Sequence, residues 1–258
     1  MIVVIACVLG LLCGSFTNVL IARIPKGEEW VRTPSHCPRC STPLAWYDNI
    51  PVVSWLWLRR RCRHCKAPIS AQYPLVELTV AALFGVVAWQ YGLSFLAAAL
   101  AYLAIVTVAL AVIDLQHMRL PDALTIRSYP VLLVLVTAEA WISDDWWMVA
   151  RAGIGALSLG AFYFVFWFVY PKGMGFGDVK CAVLLGFAMG AVSWGALAVG
   201  AFAGPLIGGI AGVAVMIQSR RSRGVKIPYG PWLIAGAWLG IFAGTELGAR
   251  YIALMTGA

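Results

Sequence analysis

A glycine-rich turn that carries one carboxylate lies between two long apolar segments, with the sequence Gly-Met-Gly-Phe-Gly-Asp-Val-Lys at residues 173–180. An ionisable side chain beside membrane-length hydrophobic sequence is costly, and such residues usually have a function. Glycines tolerate positive φ angles and let another backbone come close. The turn therefore predicts a site in which Asp178 meets a substrate or a second acidic group.

Asp114 is the second candidate, because it follows an uncharged apolar run at residues 93–113 that is long enough to cross a bilayer. Asp114 should therefore lie at the end of a membrane helix. Two predicted spans separate it from Asp178, and an even number of crossings returns the chain to the same side. The two aspartates can therefore meet although they are far apart in the sequence.

Two carboxylates that meet have a definite chemical use. At an assumed separation of ~4 Å and an effective dielectric constant of ~20, their repulsion is about 4 kcal/mol, so the pair would share one proton near neutral pH. The ionised member can take a proton from water while the protonated member polarises a peptide carbonyl. The alternative is that Asp178 only caps the following helix, as Asp122 after Pro121 also could.

Two Cys-x-x-Cys pairs, separated by 21 residues, occupy the one polar excursion of the chain. Four thiolates with this spacing predict a tetrahedral zinc site of the structural kind, since no position would remain for a catalytic water. The alternative is two disulfides, which need an oxidising compartment. His64 could replace one sulfur. The predicted ligands are Cys37, Cys40, Cys62 and Cys65.

The elements that position these residues follow from composition. Of the 258 residues, 62% are hydrophobic and only 12% are charged, which excludes an ordinary soluble domain. We predict an all-α polytopic membrane bundle of about eight transmembrane helices with a small cytoplasmic zinc-binding insert. The predicted parts are a first transmembrane helix at residues 1–22, the insert at 23–72 and a membrane-embedded core at 73–258. The spans after the first are predicted near residues 73–91, 93–113, 123–142, 147–170, 179–191, 194–217 and 231–249.

The basic residues indicate the orientation of the chain. Nine of the nineteen Lys and Arg residues lie between Arg23 and Lys66, and four more lie between Arg220 and Lys226. Basic loops remain on the cytoplasmic side, so the N-terminus is expected outside and both aspartates toward the cytoplasm. The net charge of +8 is thus explained by topology, and no nucleic-acid partner is expected.

Several collinear motifs resemble those of the type IV prepilin peptidases, bacterial inner-membrane aspartic proteases of the glycine-x-glycine-aspartate kind. Besides the paired cysteine motifs, they are residues 14–25, Tyr73-Pro-Leu-Val-Glu77, the segment from Ile113 to Asp122, Gly175 to Lys180 and Ile227-Pro-Tyr-Gly-Pro231. The resemblance implies that Asp114 and Asp178 are the two catalytic aspartates. It also implies prepilins or pseudopilins as substrates, whose short basic leader is removed at the cytoplasmic face of the inner membrane.

Many members of that family then methylate the new N-terminal amine with S-adenosylmethionine, and here this second activity is implied by the resemblance alone. Beside the aspartates, the candidates for substrate binding are Gly175, Phe176, Gly177, Lys180 and Glu77. Glu77 could equally pack against the basic loop. Two rival functions remain open from the sequence: a transporter that relays protons through Asp114 and Asp178, and a noncatalytic scaffold that holds a partner with the zinc lobe.

Overall fold

The computed structural model describes residues 1–31, 34–171, 173–219 and 228–256. Helices make up nearly all of the described chain, and the predicted all-α class is confirmed. In the described residues β-structure is limited to two isolated bridges within the cysteine-rich segment. The helices are α1 (Ile2–Arg23), α2 (Val53–Trp57), α3 (Gln72–Tyr91), α4 (Phe95–His117), α5 (Asp122–Ser143), α6 (Trp146–Val169), α7 (Phe176–Val192), α8 (Trp194–Ser219) and α9 (Gly230–Thr256).

Seven of these helices are long and apolar enough to cross a membrane: α1, α3, α4, α5, α6, α8 and α9. The polytopic membrane bundle predicted from composition is therefore confirmed. The remaining predicted span corresponds to α7, which has 17 residues. At 1.5 Å per residue it is about 26 Å long, near the lower limit for a crossing.

The chain forms two compact units, residues 1–109 and 110–258. In the first unit α1 packs along α3, and a Cβ atom at Gly14 would lie only 2.6 Å from the Cα of Glu77. The Asn18 amide also donates a hydrogen bond to the Tyr73 carbonyl oxygen, at 3.1 Å. These contacts place α1 in the same unit as α3. From the sequence, the first helix, at residues 1–22, was expected to be a part separate from the core that begins at residue 73.

The second unit is built around α7, which is buried along most of its length between α5, α6, α8 and α9. Small residues bring the helix backbones close together, as in many membrane bundles. A Cβ atom at Gly190 would lie 2.6 Å from the carbonyl oxygen of Arg151, and one at Gly244 would lie 2.5 Å from the Cα of Ala196. The guanidinium of Arg151 donates to the last carbonyls of α7, those of Gly190, Ala191 and Val192, at 2.6–3.2 Å. Both ends of α7 are thus held by hydrogen bonds, since Asp178 accepts one at its start.

Candidate active site

Asp114 lies in the last turn of α4, as the length of the preceding apolar run predicts. Its side chain is 5% exposed, and its Oδ2 accepts a hydrogen bond of 3.0 Å from the N–H of Gly230, the first residue of α9. This bond joins two helices through residues that are 116 positions apart in the sequence. The carboxylate is therefore fixed by a backbone N–H, and among the described residues it forms no ion pair.

Asp178 lies in the first turn of α7 and is 8% exposed. Its Oδ2 accepts a hydrogen bond of 3.1 Å from the N–H of Gly175, the residue that caps the helix. Asp178 thus does contribute to the start of α7, as the capping alternative expected, and it does so from the third helical position. Capping occupies only one of its two oxygens.

The structure brings these two aspartates together at one end of the second unit. The charge of Asp114 acts on Asp178, and the buried thiol of Cys181 experiences the charges of both. Leu120 contacts both anchoring segments, because a Cβ atom at Gly177 or at Gly230 would lie 3.1–3.2 Å from its side chain. Among the described residues, no hydrogen-bond partner is found for the Oδ1 of either carboxylate. One oxygen of each aspartate is therefore left for chemistry.

The structure shows which of the two properties of glycine the turn uses. Gly175 has φ −77° and ψ 148°, and Gly173 and Gly177 also lie outside the positive-φ region. What the turn requires is close approach, since Gly177 faces the side chain of Leu120 and Gly173 lies against the ring of Tyr170.

The other candidates for substrate binding have separate surroundings. Phe176 is 43% exposed, and its ring lies 5.0 Å from that of Trp167. Lys180 forms an ion pair of 2.7 Å with Asp122 at the start of α5 and lies 5.3 Å from the Phe176 ring. Both residues therefore belong to the surface around Asp178, and their roles in binding remain predictions.

Glu77 lies in the first unit and is buried. Its Oε2 accepts a hydrogen bond of 2.7 Å from the N–H of Val52, whose φ of 61° is unusual for a β-branched residue. The carboxylate thus fastens the cysteine-rich segment to α3. This contact corresponds to the packing alternative that the sequence left open, and a role in substrate binding stays a prediction.

The four predicted metal ligands form a single cluster in the first unit, with all four sulfur atoms within 4.8 Å of one another and no disulfide. The Sγ atoms of Cys37 and Cys65 are 3.8 Å apart. A tetrahedral ion with bonds of about 2.3 Å to sulfur requires an edge of about 3.8 Å, so the cluster fits such a metal. His64 is not a member of the cluster.

The two halves of this cluster share one backbone conformation. The N–H of the first cysteine donates to the carbonyl five residues later, and its carbonyl accepts from the residue after the second cysteine, Ser41 or Lys66. Ser41 and Lys66 both have positive φ, 55° and 60°. Hydrogen bonds shift the thiol pKa values in both directions: the contact with Thr42 lowers the pKa of Cys40 to about 6, and those with the amides of Cys65 and His64 lower the pKa of Cys62. The hydrogen bond with the Ala67 amide lowers the pKa of Cys65, but burial and hydrogen bonds to the other three cysteines outweigh it and raise that pKa to about 11.

Comparison with known proteins identifies the family of the chain. The family model of the bacterial peptidase A24 N-terminal domain matches residues 8–91, and that of the type IV leader peptidase family matches residues 101–213. The chain belongs to the type IV leader peptidase family. The resemblance seen in the sequence motifs is thereby confirmed, and so is the prediction that the chain is an enzyme.

Curated relatives of this leader peptidase match over nearly their whole length. Those from Stutzerimonas stutzeri, Pseudomonas aeruginosa and Aeromonas salmonicida are 34%, 35% and 37% identical to the chain. The alignments cover 94–97% of this chain and 91–93% of each relative. All three are named prepilin leader peptidase/N-methyltransferase. No solved structure matches the chain.

Two tyrosines of this leader peptidase were not singled out from the sequence. Tyr163 on α6 and Tyr229 before α9 lie beside Asp178, with their hydroxyl oxygens 3.2 Å apart. Tyr229 belongs to a motif that carried the resemblance, which was a usable signal. Tyr163 lies in an aromatic run that looks like a lipid-facing helix surface. The basic segment from Arg220 to Lys226, and Ile227 of the motif, lie outside the described residues.

Gly230 provides a test of how tightly the site is built. In a Gly230→Ala variant the new methyl would lie 2.9 Å from the Asp114 Oδ2, which is too close, so the carboxylate must move. We expect peptidase turnover to fall by about 10²-fold, the cost of a misplacement of about 1 Å. Gly153→Ala is the matched control, because a Cβ there meets nothing within 4 Å. Full turnover in Gly230→Ala would show that the Asp114 position is not critical.

Proposed function

We propose that this enzyme is an aspartic endopeptidase that removes the basic leader of type IV prepilins and pseudopilins at the cytoplasmic face of the bacterial inner membrane. The observation that carries the proposal is the meeting of Asp114 and Asp178 in one buried end of the second unit, each anchored through one oxygen. Family membership supports the peptidase reaction over the transporter and scaffold alternatives.

The reaction needs one proton on the pair and one water. The ionised carboxylate takes a proton from the water, whose oxygen attacks the carbonyl carbon, while the protonated carboxyl gives its proton to the carbonyl oxygen. The resulting diol then collapses with cleavage of the C–N bond, and the amine leaves with a proton from the pair. One peptide and one water give one carboxylic acid and one amine, and no covalent enzyme intermediate is formed.

The position of the pair suits a substrate that is apolar after the cleavage site. The carboxylates lie at helix ends, Asp114 in the last turn of α4 and Asp178 in the first turn of α7. A prepilin would lie with its apolar helix along the bundle and its basic leader in the cytoplasm. The extended backbone at Gly175, followed by the half-exposed Phe176, would approach the chain around the scissile bond.

The orientation rests on the basic loops. If the N-terminus is outside, the cysteine-rich segment and both aspartates lie in the cytoplasm, as the positive-inside rule requires. We assign the cysteine cluster to structural zinc, because four sulfurs leave no position for a catalytic water. The zinc would hold the insert in shape and would take no part in hydrolysis.

Methylation of the new N-terminus would follow cleavage, as the names of the relatives suggest. A methyl donor needs a cavity, and the first unit contains one of about 560 Å³ lined by the cysteine-rich segment and by Asn18, Arg23, Trp55 and Tyr73. The Oδ1 of Asn18 is buried without a partner among the described residues. Both features fit S-adenosylmethionine, which would supply the methyl group.

Binding of the methyl-donor product can be measured apart from activity. We expect S-adenosylhomocysteine to bind the purified protein in calorimetry and to bind about 5-fold more weakly to Asn18→Ala, since a hydrogen bond is worth about 1 kcal/mol. Asp114→Asn, altered only in the second unit, should bind like the parent protein. Equal affinity in Asn18→Ala would place the donor elsewhere.

The experiment that tests the whole proposal is product mass. The protein in detergent is incubated with a prepilin-like substrate, with and without S-adenosylmethionine. Loss of the leader alone indicates peptidase activity, and an added methyl on the mature chain indicates the second reaction. An intact substrate in both samples would refute the proposal.

A further inference from the structure

Tyr163 and Tyr229 form a buried hydroxyl pair that the two-carboxylate mechanism does not use. Tyr163 is 1% exposed, whereas Tyr229 is half-buried and directly precedes α9. Their hydroxyl oxygens are 3.2 Å apart, and their rings are 5.9 Å apart. Both belong to the second unit, with Asp114 and Asp178.

The protons of this pair do not all have acceptors. Two hydroxyls carry two protons, and the bond between the oxygens uses one of them. Within the part of the chain that the structure describes, the second proton has no acceptor, and neither carboxylate receives it. A tyrosine hydroxyl that is out of bulk water normally has a partner. Among the described residues, one hydroxyl hydrogen of the pair is therefore not used in a hydrogen bond.

The hydroxyl pair lies near Asp178, and one of its members is linked through the backbone to the anchor of Asp114. The charge of Asp178 acts on both tyrosines. Tyr229 is also the neighbour in sequence of Gly230, whose N–H holds Asp114 at 3.0 Å. A peptide carbonyl that is placed between the carboxylates would thus be close to the hydroxyl pair.

We propose that Tyr229 is a further catalytic residue, whose hydroxyl group donates a hydrogen bond to the carbonyl oxygen of the scissile peptide. Tyr163 is the positioning residue: it donates to the Tyr229 oxygen and so directs the Tyr229 proton outward. This assignment of roles follows from burial, because of the two tyrosines only Tyr229 is exposed enough to contact a substrate. Tyr229 keeps its proton, and its hydrogen bond stabilises the charge that develops on the carbonyl oxygen of the substrate. The inference rests on the proposed function.

The test compares Tyr229→Phe and Tyr163→Phe in cleavage of a prepilin-like substrate by the full chain in detergent. Tyr229→Phe should lower kcat by about 10²- to 10³-fold, the usual effect of removing one such donor, with KM changed less than about 3-fold. Tyr163→Phe should lower kcat by about 10-fold. Tyr251→Phe, at an exposed position of α9, is the control and should match the parent protein.

A double variant tests whether the two hydroxyl groups act together. If the hydroxyls act as one chain, Tyr163→Phe with Tyr229→Phe should lose no more kcat than Tyr229→Phe alone. Unchanged kcat in Tyr229→Phe, an effect on KM alone, or additive losses in the double variant would each overturn the inference. If Asp114→Asn abolishes cleavage and Tyr229→Phe does not reduce it, the proposed function stands and this inference fails. If Asp114→Asn is also fully active, both fail.

Discussion

Asp114→Asn and Asp178→Asn are each expected to lower the rate of leader cleavage by about 10⁴-fold or more, because an amide can neither accept nor release the proton that the reaction needs. The fold should persist in both variants. Each carboxylate accepts one backbone N–H through a single oxygen, and the amide oxygen of asparagine can accept the same bond. The measurement is product mass over time, with thermal unfolding in detergent as the check on the fold.

The matched control for these variants is Asp144→Asn. Asp144 is exposed and has a φ of 53°, a conformation that asparagine adopts readily. The same chemical change there should leave cleavage unaltered. Cleavage at the parent rate in Asp114→Asn or in Asp178→Asn would end the two-carboxylate mechanism, whatever the family of the enzyme.

The second large effect concerns the metal. Purified protein should contain about one zinc ion per chain, and the pair of changes Cys37→Ser and Cys40→Ser should remove it. Structural zinc sites contribute on the order of 10 kcal/mol to folding, far more than a segment of this size can replace by burial. We therefore expect the segment between α1 and α3 to become sensitive to protease, and its thermal transition to be lost.

Elemental analysis and limited proteolysis measure this effect. Cys13→Ala is the control, since Cys13 lies in α1 outside the four-sulfur cluster and its change should leave the zinc content intact. A metal-free protein that resists protease as well as the parent does would contradict the zinc assignment. Proteolysis in the presence of a reducing agent also distinguishes zinc from disulfides, because a zinc-bound segment should remain resistant to protease.

The carboxylate pair shows how far sequence reasoning reaches. Asp114 follows an apolar run of membrane length, so its place at the end of a helix could be predicted, and the two spans predicted between it and Asp178 allow both residues to lie on one side. The depth of Asp178 could not be predicted, because the span predicted after it is short. The hydrogen bond from Gly230 to Asp114 could not be predicted, because it joins helices far apart in the sequence and depends on how α9 packs. The tyrosine pair escaped notice for the same reason.

The glycine turn shows what the sequence leaves open. Glycine is compatible with positive φ and with close packing, and the sequence cannot say which property is used. Here packing decides, through the side chains of Leu120 and Tyr170. Glu77 shows the same limit, since a buried carboxylate can bind a substrate or hold a strained loop, and in the first unit it holds Val52.

The sequence by itself determined the membrane class, the helix order and the four-cysteine cluster, because hydrophobic length and ligand spacing are local properties of the chain. Only the tertiary structure decided which oxygen of each aspartate is occupied, which glycines pack against side chains and which tyrosines stand beside the acids. These features depend on contacts between helices that are distant in the sequence, and such contacts arise when small residues let the backbones approach within the bundle.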